Sequence, residues 1–374
     1  MVKPEFSVRK MKLLRILNKC VFENSRQLNR IKMYNRIIKN IFFGLTIGLW
    51  MFQSGCLNQK SSTNIQSITR DVLAENVLQA SADSGLVIIM DVESGKIIAD
   101  VSVANKDSSI IKVSKRGNHL KNEGFGGLVQ PFALMAALES GNITMEDSVD
   151  TERGLVIYNG QHILDSNYAY GGYGKIELSN VLRLNSDIGV FRSLTKAFDS
   201  HPDEYFYELN KIASALPYKP AKWTGNSPTQ FLPDLDYGIQ LNQIQLLILY
   251  NAIANNGEMV FEGKVLDPSI VSPTTISNIR KALKEVVSPE GTGKLAISDQ
   301  VSIAGKTGTY IDTTKQMGTI GPKTFSFCGY FPTENPQFTC LVLVYSNKEN
   351  LTNNRTVVVR ILKEIAEKIL VNLR

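Results

Sequence analysis

Histidine and cysteine are scarce in this chain, with three histidines and four cysteines among 374 residues. His119, His162 and His201 are scattered, so a serine–histidine–acid triad or a zinc site would require a convergence that the sequence does not advertise. A phosphate loop is missing as well. Gly291-Thr292-Gly293-Lys294 lacks the longer glycine spacing and reads as a turn. Distributed basic charge is the third absence. The first forty residues hold eleven Lys/Arg against Glu5 and Glu23, and subtracting that +9 from the chain's +6 leaves −3 for the remainder. Nucleic-acid binding is excluded on that balance, and no cofactor or metal is expected.

What is present begins with a membrane-directed start. The basic segment runs into Ile41–Phe52, an apolar stretch, and then Gln53-Ser54-Gly55-Cys56. This order resembles a bacterial lipoprotein signal with Cys56 as the lipidated residue. An uncleaved anchor is the alternative, since Asn40 to Gln59 carries no charge and is long enough to span a bilayer. Either way the body is exported and tethered at the cell envelope. Residues 1–59 therefore form a basic signal or anchor region, and 60–374 a folded domain whose 43% apolar content supports a sizeable core. Cys328 and Cys340 are equidistant from Glu334. A hairpin centred there would face them across two strands, where they either pair in an oxidising compartment or stay buried as free thiols.

Periodicity organises the rest. Ile65–Gln79 has helical spacing, and Gly85–Val92 with Ile97–Val103 reads as a strand pair around Glu93-Ser94-Gly95-Lys96. Ser102–Gly126 is polar and aperiodic and reads as a long loop. Pro131–Glu139 is a buried helix with a proline in its first turn. Leu178–Lys196, Leu241–Asn255 and Thr275–Val287 are further helices, Val301–Gly305, Thr324–Phe331 and Phe338–Ser346 are late strands, and Thr356–Leu373 is a closing amphipathic helix. Early strands, a helical middle and late strands imply an α+β fold with non-local sheet pairing.

The chemistry-bearing run is Ala304-Gly305-Lys306-Thr307-Gly308-Thr309, which offers a cation, two hydroxyls and a glycine on a β-rich segment. Such equipment binds a carboxylate and an extended peptide. Six further landmarks fall around it in order: the Gly85–Ser102 hairpin, Gln130-Pro131-Phe132-Ala133, Tyr237-Gly238-Ile239, Tyr250–Gly257, Gly291-Thr292-Gly293, and Gly329-Tyr330-Phe331-Pro332 with Asn335-Pro336. Together, across about 65–373, they resemble the transpeptidase domain of penicillin-binding proteins, the acyl-serine enzymes that cross-link peptidoglycan. The resemblance implies five antiparallel strands flanked by helices plus a mostly helical lobe. It also implies a cleft holding a serine, a lysine one turn later, a Ser-x-Asn loop and the Lys-Thr-Gly strand.

This sequence departs from that pattern at its centre. Gly127 stands at the serine position, Gln130 at the lysine position, and Asn185-Ser186-Asp187 at the Ser-x-Asn loop. Glycine has no nucleophile and glutamine takes no proton at neutral pH. Ser-x-x-Lys recurs at Ser7, Ser109 and Ser193, of which the loop serine Ser109 is the one candidate for rescue. The expectation is a noncatalytic binding or scaffold module for a peptidoglycan stem peptide or for cell-wall synthesis proteins, bound through Lys306–Thr309 and Asn185–Asp187, with no covalent β-lactam adduct. The alternative is a D,D-transpeptidase or carboxypeptidase that uses an unrecognised nucleophile.

Overall fold

The computed structural model describes residues 64–106, 109–112, 122–198, 201–218, 232–311, 323–347 and 351–373. Cys56 and the tether region lie outside the described residues. Helix α1 (64–79) precedes β1 (Ser84–Asp91), β2 (Ile97–Lys106) and β3 (Ser109–Lys112). A helical stretch follows: α2 (Gln130–Glu139), α3 (Leu178–Leu184), α4 (Asp187–Phe198), α5 (Pro202–Ala213), α6 (Gln243–Ala254) and α7 (Pro273–Val286). Strands β4 (Ala304–Ile311), β5 (Lys323–Phe331) and β6 (Phe338–Ser346) lead to the closing α8 (Leu351–Leu373).

One antiparallel sheet in the order β4-β5-β6-β1-β2-β3 forms the frame. Strands β1, β5 and β6 read as largely apolar runs because both their faces are buried. Leu86, Ile88 and Met90 face the helical lobe, whereas Val87 and Ile89 face α1 and α8. Helices α2 and α6 form the layer beneath the lobe; every residue of α6 and residues 130–137 of α2 are buried, so both are enclosed on all sides and mostly apolar. Asn242 starts α6 with a reciprocal cap, its Oδ1 accepting from the Gln245 N–H at 2.9 Å while the Gln245 side chain accepts from the Asn242 N–H at 3.0 Å.

Three expectations are corrected. The sheet has six strands rather than five, because β2 continues to Lys106 and β3 forms within the stretch that read as a loop. Lysine-rich composition hid a short edge strand. The single helix over Leu178–Lys196 is two, broken at Asn185, whose φ of 53° is left-handed, and restarted as Ser186 Oγ accepts from the Gly189 N–H at 2.8 Å.

The cysteines do not pair. The β5–β6 register sets Cys328 opposite Leu341 and Cys340 opposite Gly329, so the two thiols enter the cores on opposite faces of the sheet. Both are free, and burial raises both thiols above their usual range. The turn is centred half a residue beyond Glu334, and in a two-residue repeat a one-residue change of register swaps the face.

Candidate functional site

Gly127 lies in a short 3-10 turn, Gly126–Val129, that feeds directly into α2. Asp236 holds this turn by accepting from the Phe125 N–H at 3.3 Å and the Gly126 N–H at 3.0 Å. Across from it, β4 brings Lys306 and Gly308 to the same side. Gly308 has no room for a side chain, since a Cβ there would stand 2.5 Å from the Phe125 carbonyl oxygen. The close approach this glycine permits is that of the protein's own turn.

Lys306 is fully buried. Its ammonium donates to Asn185 Oδ1 and to the Thr307 carbonyl at 3.0 Å. Burial pushes its pKa from 10.5 down to about 7, while the Asp187 charge acts in the opposite sense. A Cβ on Gly127 would fall against Asn185 Oδ1, 2.8 Å from the Thr307 carbonyl oxygen and 3.1 Å from Lys306 Nζ. The volume that a side chain at position 127 would enter is therefore occupied by the asparagine amide and the lysine head.

One turn later, Gln130 is buried and its Nε2 donates to Asp187 Oδ1 at 2.8 Å. Tyr237 donates its hydroxyl to the same oxygen at 2.8 Å, and burial followed by the Asp187 charge holds its pKa well above 10. Ser186 points away from the cleft and donates to Asp165 Oδ2 at 2.7 Å. Asp165 also accepts from the Ile188 N–H at 3.1 Å, and burial raises its carboxyl from 3.8 to about 6. Thr307 Oγ1 donates to Thr292 Oγ1 at 2.9 Å on the cleft wall.

These groups surround a cleft of about 550 Å³. Gly127, Asn185, Asp187 and Thr307–Thr309 all border it, whereas Lys306 sits beneath its floor. Ser109 is exposed on β3, the opposite edge of the sheet from β4, about five strand spacings or ~24 Å away. His162 and His201 are exposed, and His119 lies outside the described residues. Sequence reasoning missed Asp165, Asp236 and Thr292. Asp236 directly precedes the Tyr237-Gly238-Ile239 landmark and Thr292 is inside another, so both had a local signal; Asp165 had none beyond a polar turn.

The order of parts, from opening hairpin through turn-and-helix to the Lys-Thr-Gly edge strand, matches a known domain. A family model described as penicillin binding protein transpeptidase domain aligns with residues 85–367. The chain belongs to that family. Its relatives include a probable peptidoglycan D,D-transpeptidase PenA of Neisseria flavescens, 23% identical over 309 residues that cover 75% of this chain and 73% of the relative. Another is the peptidoglycan D,D-transpeptidase FtsI of Buchnera aphidicola, 24% identical over 335 residues covering 82% and 57%. Several further relatives are matched over only about half their length. The transpeptidase domain of Burkholderia pseudomallei penicillin-binding protein 3 shares the fold, with a TM-score of 0.67 at 23% identity over 83% of this chain and 95% of that one. The family and its α+β fold place this chain in peptidoglycan biology.

Proposed function

We propose that this member of the family is a noncatalytic module, tethered to the cell envelope and facing its exterior, that binds a stem peptide or a protein of cell-wall synthesis. One observation carries the reading. Position 127 has no side chain, and the space for one is filled by Asn185 Oδ1 and Lys306 Nζ, while Gln130 supplies an amide where a proton acceptor would be needed. Acyl transfer needs an oxygen or sulfur nucleophile at that point. The remaining equipment, the Thr307 and Thr309 hydroxyls and the Asn185–Asp187 loop around a cleft of about 550 Å³, is suited to holding a peptide.

Labelling with a fluorescent penicillin followed by a denaturing gel tests this. No covalent band is expected at concentrations that saturate an active relative, and a band that vanishes in Ser109→Ala would establish an enzyme with a displaced nucleophile. The tether is tested separately: metabolic labelling with a tagged fatty acid marks the chain and is lost in Cys56→Ser if that cysteine is lipidated, whereas unchanged membrane retention without label means the apolar stretch itself is the anchor.

A further inference from the structure

Several of the large apolar side chains exposed among the described residues gather beside the cleft. Two short strands, Leu155–Tyr158 and Gln161–Leu164, form a hairpin in which Leu155 is paired with Leu164 and Ile157 with His162. Val156 and Ile163, the alternate positions, enter the core. The period of two therefore turns Leu155, Ile157 and Leu164 outward, where Ile157 is 61% and Leu164 47% exposed. Tyr168 and Tyr170 stand in the turn that follows, 50% and 91% exposed. Leu164 itself borders the cleft, and so does the exposed Ile311 at the end of β4.

The turn holds its tyrosines outward. The Tyr168 N–H donates to the Asp165 carbonyl at 3.0 Å, the Tyr170 N–H to the Asn167 carbonyl at 2.8 Å, and the Gly174 N–H to the Glu152 carbonyl at 3.1 Å. Gly154, at the foot of the hairpin, lets this backbone pack closely, since a Cβ there would stand 2.9 Å from Tyr168 Cα. A backbone fixed at these points has little ordering entropy left to lose on binding, and tyrosine offers a broad, rigid contact with only two side-chain torsions to restrain. Exposed aromatics on a rigid frame are the usual anchors of protein-binding surfaces.

We infer that the ligand of the cleft is a segment of another protein, longer than a stem peptide, that leaves the cleft over Leu164 and seats apolar side chains on Ile157, Tyr168 and Tyr170. The inference rests on the peptide-binding reading above and chooses between its two ligands. Continuity favours the choice: Leu164 belongs to both surfaces, so an occupant of the cleft that continues past it meets the apolar face without a break. A stem peptide, short and built mostly of small or charged residues, offers that face no apolar match. A second copy of the chain, set face to face on a two-fold axis, would cover the patch and leave the cleft empty. A bilayer is disfavoured by the surrounding charge, because Asp150, Glu152 and Glu177 offset Arg153, Lys175 and Arg192, whereas anionic headgroups call for an excess of bases.

Random dodecapeptides displayed on phage, selected on the full-length protein in detergent, test this beside a synthetic pentapeptide ending in two D-alanines. The selected sequences, titrated calorimetrically as synthetic peptides, should carry aromatic or aliphatic residues and bind at least tenfold tighter than the pentapeptide. Tyr170→Ser and Ile157→Ser should each weaken them tenfold or more and change any binding of the pentapeptide less than twofold. Ser166→Trp, which crowds the cleft, should weaken both kinds of peptide. All three side chains are exposed, so the fold tolerates the changes, and an unchanged melting temperature verifies it. Selected peptides that lose affinity in Ser166→Trp but keep it in Tyr170→Ser and Ile157→Ser overturn the inference and leave peptide binding standing. Indifference of every peptide to Ser166→Trp defeats peptide binding and the inference together. A dimer that Tyr170→Ser disperses, or protection of Tyr168 and Tyr170 from hydroxyl radicals in vesicles alone, gives the patch to a second copy or to the bilayer and likewise overturns the inference.

Discussion

Restoring a nucleophile with Gly127→Ser should cost stability and yield no penicillin-reactive protein. A serine Cβ would stand 2.8 Å from the Thr307 carbonyl oxygen and 3.1 Å from Lys306 Nζ, and against Asn185 Oδ1. The two side-chain ends can swing aside. The Thr307 carbonyl belongs to β4, where Thr307 is registered with Phe327, and it moves only with the strand. Overpacking of this kind costs about 1–3 kcal/mol. A unit the size of Asn64–Arg374 has an unfolding entropy of roughly 0.65 kcal/mol/K, so the melting temperature should fall by about 2–5 °C.

The partial remedy is specific. Adding Asn185→Ser withdraws the asparagine oxygen from the crowded spot and frees the Lys306 head to shift, so the double variant should regain part of the loss. Scanning calorimetry measures the stability, and fluorescent-penicillin labelling of the same samples reads the chemistry. Labelling is expected in neither, because Gln130 still cannot accept the serine proton. Gly127→Ser melting with the parent, or labelling on its own, would refute the claim that the site is filled.

Two buried ionisable groups set opposite pH dependences. Asp165, raised by burial from 3.8 to about 6, keeps its proton in the fold where the unfolded chain has lost it, so stability should fall as pH rises from about 4 to 6, by about 3 kcal/mol. Asp165→Asn should flatten that segment in urea melts. Lys306, lowered by burial from 10.5 to about 7, sheds its proton in the fold while the unfolded chain keeps it. Stability should therefore rise above pH 7, a rise that Lys306→Met abolishes. Cys328 and Cys340, buried on opposite sheet faces, should resist alkylation until the protein unfolds, and mild oxidants should leave the mass of the folded domain unchanged.

Where burial is uniform, the sequence is easily read. Strands β1, β5 and β6 are enclosed on both faces and show as largely apolar runs, and α2 and α6 are enclosed on all sides. Where a local backbone event interrupts a periodic pattern, it is not. Leu178, Val181, Leu182, Ile188 and Phe191 keep helical spacing straight through the break at Asn185, and only the Asn-Ser pair marks a stop followed by a cap. The Cys328–Cys340 geometry turned on half a residue in a hairpin centre, a quantity that hydrophobic pattern does not fix when both faces are apolar.

The substitutions at the site were visible in one dimension, but their coupling is a property of the packing. Removing the side chain at Gly127 opens a volume next to β4, and Lys306 is long enough to put its head there and meet Asn185. That contact takes the one intact cation of the Lys-Thr-Gly strand out of the cleft, a result no spacing rule predicts. Gln130 and Asp187 tell the complementary story. Lysine at 130 and asparagine at 187 would make an N–H donor and an oxygen acceptor, and Gln130 Nε2 donating to Asp187 Oδ1 at 2.8 Å keeps that sense of bonding. Donor and acceptor persist while the charge passes from the first position to the second and changes sign. Tyr237 donating to the same carboxylate shows Asp187 built into its surroundings.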